Sequence, residues 1–94
     1  MPIKELPANP DEVAEIVYEG RIDGVFKGFR NHDTLFKLQG GSTWRQFEYY
    51  FEYRHLFSPK ITIYKIRNKS NGKEIFFMAV DGVKTMVEVK SSYA

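Results

Sequence analysis

Five turn signals, spaced through the chain after residue 20, constrain the fold more than anything else in this sequence. They are Asn31-His32-Asp33, Gly40-Gly41, Ser58-Pro59, Asn71-Gly72 and Asp81-Gly82. Asn-Gly and Asp-Gly favour the left-handed backbone conformations of tight hairpins. Between the turns, apolar residues recur with a period of two, the strand pattern. Six strand candidates follow, at about 21–30, 34–39, 43–57, 60–67, 74–80 and 83–89. Every connection is too short for a parallel crossover, so the expected sheet is an antiparallel meander.

The segment before the first strand reads differently. Asn9 can cap a helix, Pro10 suits its first position, and Asp11 and Glu12 fill its first turn. Val13, Ile16 and Val17 stand at helical spacing and Gly20 supplies a stop. The expectation is a helix over about 10–19, within an acidic segment 1–19. A barrel over 21–89 and a tail over 90–94 complete one domain, which 94 residues suit. Gly24 and Gly28 inside the first strand suggest bulges or corners. The expected fold is mainly β: a short N-terminal helix, then five or six antiparallel strands closing as a small SH3-like barrel.

The stretch TWRQFEYYFEYRHLF, residues 43–57, concentrates the aromatic residues. Taken as one strand, its odd positions carry Phe47, Tyr49, Phe51, Tyr53, His55 and Phe57 on one face. Such a ladder is core material, so Phe47, Phe51 and Phe57 are expected inside, with Tyr49 and Tyr53 reaching the rim. The even face places Trp44 and Tyr50 among Gln46, Glu48, Glu52 and Arg54. A bulge that switches parity would bury one of these two aromatics. Without it they are exposed, flanked by charge, in the manner of a binding patch. Trp44, Tyr50, Arg54 and His55, with Tyr49 and Tyr53, are therefore the candidate partner surface.

These residues also carry a resemblance. The strand resembles the signature Trp-x-Gln-x-x-Tyr-x-Tyr-x-Tyr of a family of small prokaryotic β-barrel domains with no assigned activity. Trp44, Gln46, Tyr49 and Tyr53 match it, and Phe51 stands where the middle Tyr is usual. Residues 22–29 and 59–64 also match, and the likeness spans about Ile22 to Val89. It implies a small barrel, and it brings no reaction or ligand with it.

Catalysis finds little support in the residue types. The chain has no cysteine, two histidines, and serines only in expected turns or the tail. Glu48 and Glu52, four strand residues apart, would lie roughly 13 Å from each other. That is too far for paired catalytic carboxylates. His32, Asp33 and His55 recur at no ligand spacing, and Gly40-Gly41 is a hairpin rather than a phosphate loop. No metal, cofactor or membrane is expected, and the start of the chain lacks a signal-peptide pattern, which makes cytoplasm the expected location.

Charge supplies a second hypothesis. Residues 1–19 hold one lysine and five carboxylates, whereas the rest holds 13 basic and 7 acidic residues. Between Glu52 and Glu74 only basic charges occur: Arg54, Lys60, Lys65, Arg67, Lys69 and Lys73. The leading expectation is a non-catalytic module that binds a protein, or another copy of itself, through aromatic residues. The alternative is single-stranded nucleic acid, held by Lys60, Lys65, Arg67, Lys69 and Lys73 with exposed aromatics for stacking.

Overall fold

The computed structural model describes residues 12–30 and 33–92, and among them it contains eight strands and no helix. They are β1 (Glu12–Arg21), β2 (Val25–Phe29), β3 (Leu35–Lys37), β4 (Thr43–Gln46), β5 (Glu52–Phe57), β6 (Lys60–Asn68), β7 (Glu74–Val80) and β8 (Val87–Ser92). Six form one sheet in the order β1-β6-β7-β8-β4-β3, and β2 pairs with β5 as a separate ribbon. All pairings are antiparallel. The mainly β, antiparallel reading therefore holds, although the strand order is not a simple meander.

The expected helix is a strand instead. Residues 12–21 pair with β6 along its whole length, from Glu12 opposite Asn68 to Arg21 opposite Lys60. Two physical reasons favour this outcome. Val13, Ile16 and Val17 are β-branched, which stiffens them against helix and suits them to a pleated surface. So short a helix is also marginal in water, while the edge of β6 offers a row of backbone partners. The capping residues Asn9, Pro10 and Asp11 lie outside the described residues.

The expected barrel does not close. Beyond the end of β1, Ile22 and Leu38 form one isolated bridge, and Gln39 N–H donates to the Arg21 carbonyl at 3.0 Å. The Tyr18 O–H adds a bond to the Gln39 carbonyl at 2.7 Å and the Asp23 N–H one to the Lys37 carbonyl at 2.8 Å, so the β1 and β3 sides of the sheet are joined locally, with no ladder between them. Two expected strands also break. The 21–30 candidate bends between β1 and β2. The 43–57 candidate divides into β4 and β5, which belong to different sheets.

The core lies between the sheet and the ribbon. Phe26 and Phe29 of β2 meet Ile61, Ile63, Met78, Val80, Val87 and Val89 of the sheet, with Phe36 and Leu38 beside them. Phe29 stacks edge-on against Phe26, Phe36 and Tyr50, with ring centroids 5.4–5.9 Å apart. One ribbon face thus supplies the aromatic centre of the core, and the other faces outward.

Candidate functional site

The divided stretch 43–57 builds the site, and Gln46 sets its shape. Its side chain is fully buried and fully bonded. The amide nitrogen donates to the carbonyls of Glu48 at 3.0 Å and Tyr50 at 2.8 Å, and the amide oxygen accepts the Arg30 N–H at 3.1 Å. A buried amide that uses its donors and acceptor in this way holds the following segment in one conformation. A Glu48 carboxylate oxygen adds a bond from the Glu88 N–H at 2.7 Å. Residues 47–51 therefore leave the sheet in a fixed path and re-enter as β5.

That path reverses the expected faces. Phe47, Tyr49, Phe51, Tyr53 and Phe57, the ladder expected to be core, are exposed, from 43% at Phe47 to 79% at Phe57. Trp44 and Tyr50 are half-buried and pack against the core. The Trp44 ring meets Phe76 edge-on at 5.3 Å, and Tyr50 meets Phe29 at 5.9 Å. The alternation itself carries through both strands, since every odd position from 45 to 57 is exposed; what differs from the expectation is which face meets the core, and Gln46, buried on the even face, turns that face inward.

Gly28 allows the close approach of the two ribbon strands. In the β2–β5 register it lies opposite Tyr53, just after the shift that follows Phe26. It cannot be replaced cheaply: its φ is +101°, and a Cβ there would run into the Glu52 carbonyl. At the other end of the pair, exposed Val25 lies opposite Phe57. The outer surface of the ribbon is thus aromatic, with exposed Lys27 and His55 beside it.

Electrostatics organise the rim. Arg54 binds the Glu52 carboxylate at 2.7 Å, and Tyr50 O–H donates to the same carboxylate at 2.6 Å. That hydrogen bond, helped by burial, raises the Tyr50 hydroxyl above its ordinary pKa. Lys90 Nζ lies 4.0 Å from the centre of the Phe47 ring, over its face. Phe47, Phe76 and Lys90, with Lys73, line an open groove of about 540 Å³.

The basic residues expected to act together are spread out. Lys60 opens β6, whereas Arg67, Lys69 and Lys73 lie at and beyond its far end, roughly 26 Å away along the strand. Lys65 is engaged by Glu15 at 3.1 Å and Glu74 at 3.5 Å. These carboxylates, Glu15 first, raise its pKa. His32 lies outside the described residues. Among the described residues no group of three or more His, Cys, Asp or Glu could hold a metal ion. None has a helix long and apolar enough to cross a membrane.

Sequence reasoning missed Phe47, Phe51 and Phe57 as surface residues and Gln46 as the pin of the segment. The available signal was Gln46 itself, a polar side chain in the middle of an aromatic run. No family model, curated protein or solved structure matches this chain.

Proposed function

We propose that this chain is a non-catalytic interaction module that binds a protein partner, in the simplest case a second copy of itself. The contact surface is the outward row Phe47, Tyr49, Phe51, Tyr53 and Phe57. The observation that carries this reading is the exposure of all five rings on one continuous segment. Their exposed parts amount to roughly three whole aromatic side chains, on the order of 600 Å². That lies at the upper end of what a monomer leaves uncovered and approaches the roughly 800 Å² per partner of a standard interface. Tyrosine, arginine and phenylalanine, present here with Arg54 and His55 at the rim, are the residues enriched in such contacts. Trp44 and Tyr50 then support the row from beneath.

A second reading, single-stranded nucleic acid, draws on Lys90 over the Phe47 ring and Lys73 in the same groove. One set of measurements separates the two. Sedimentation equilibrium of the wild type should give a mass that rises with concentration, and replacing Tyr53 and Phe57 by Ser should return it to the monomer without lowering the melting temperature. A wild type that stays monomeric at millimolar concentration removes self-association. Salt-sensitive binding of an oligonucleotide, lost in Lys73→Glu with Lys90→Glu, would replace the protein reading with the second.

A further inference from the structure

β2 and β3 each leave one edge without a strand partner, and these edges flank a common groove. β2 is bonded to β5 alone and β3 to β4 alone. The two strands meet at one end, where the Asp23 N–H donates to the Lys37 carbonyl at 2.8 Å and Ile22 bridges Leu38. No ladder continues from there. A groove of about 230 Å³ lies between Val25, Phe26 and Lys27 on one side and Leu35, Phe36 and Lys37 on the other. Phe26 and Phe36, both buried, close its floor with ring centroids 6.0 Å apart. Val25 and Leu35 leave exposed apolar surface on its lips.

Size and charge narrow the occupant. The groove is smaller than the roughly 300–1,000 Å³ of small-molecule pockets. Its flanks are strand edges, five residues of β2 and three of β3, and an extended segment can pair with such an edge. Lys27, Arg30 and Lys37 line it, all exposed, against the one carboxylate of Asp23. In an extended guest, alternate side chains point down to the phenylalanine floor and up to this cationic rim. We propose that the groove between β2 and β3 is a strand-addition site for an extended peptide segment that alternates apolar and acidic residues. Tyr53 and Phe57 of the outward aromatic row do not line this groove, although their strand partners Gly28 and Val25 do.

Calorimetric titration of the full chain with an acetylated, amidated Thr-Val-Glu-Val-Glu-Val peptide tests this. The peptide should bind and slow amide exchange in β2 and β3. A lysine-for-glutamate peptide should bind about tenfold more weakly or worse, and a peptide N-methylated at alternate residues should not bind. Lys27→Glu with Lys37→Glu should reverse the preference between the acidic and basic peptides. The Tyr53→Ser, Phe57→Ser chain should bind the acidic peptide like the wild type, whatever has become of its self-association. Absence of binding at millimolar peptide would overturn the proposal. So would equal binding of the acidic and basic peptides, undiminished binding of the N-methylated one, or loss of binding in the Tyr53→Ser, Phe57→Ser chain.

Discussion

The β6–β7 ladder and the β2–β5 ribbon use similar residues to opposite ends. β6 and β7 share seven consecutive pairs without a slip, from Ile61 opposite Val80 to Arg67 opposite Glu74. Each strand has a further partner, β1 on one side and β8 on the other. Even Ile66, whose side chain alternates away from Ile61 and Ile63, is buried. The ribbon has four pairs, a register shift between Phe26 and Gly28, and no third strand. A two-stranded ribbon is marginal alone in water. It persists here because Phe26 and Phe29 anchor its inner face in the core. Stability therefore resides mainly in the sheet, which leaves the outer face of the ribbon free to carry unburied aromatics.

Removing the anchor should have the largest effect. Phe29→Ala deletes a fully buried ring that touches three others, and should cost about 3–5 kcal/mol, enough to leave so small a domain largely unfolded. Urea titration followed by far-ultraviolet circular dichroism measures it. A loss under about 1 kcal/mol would show that the ribbon does not depend on its inner face.

Gln46→Leu comes next. It strips the bonds from the Arg30 N–H and the Glu48 and Tyr50 carbonyls while keeping the volume, and should cost about 2–3 kcal/mol. Near-ultraviolet circular dichroism should change at the same time, as Tyr50 and Trp44 lose their fixed settings. Unchanged stability would mean that residues 47–51 hold their path without the amide.

The smallest effect concerns Tyr50, whose hydroxyl pKa is raised chiefly by the Glu52 carboxylate. A raised acid favours its protonated form in the folded state. The associated stability is full below the unfolded value near 10 and is lost as pH rises through the folded one. Tyr50→Phe should lower stability at neutral pH by about 1 kcal/mol and flatten the alkaline decline. Melting curves from pH 8 to 11 check this, and a slope equal to the wild type would show that the hydroxyl is not coupled to folding.

What the sequence determined by itself is the local punctuation and the class. Turns fall where Gly40-Gly41, Ser58-Pro59, Asn71-Gly72 and Asp81-Gly82 place them, between β3 and β4, β5 and β6, β6 and β7, and β7 and β8. Such turns are written in the backbone preferences of two to four neighbouring residues, so nothing distant can overrule them easily. The identity of β1 was not legible in this way. Its capping and spacing signals fit a helix, and only the edge of β6, paired from Arg21 with Lys60 to Glu12 with Asn68, makes it a strand. The faces of residues 43–57 were hidden for the same reason. Period-two alternation states which residues lie together but not which side is wet. That was decided by Gln46 reaching Arg30 across the fold and by the transfer from one sheet to another. A turn is a short-range property of the chain, whereas inside and outside exist only once distant strands have met.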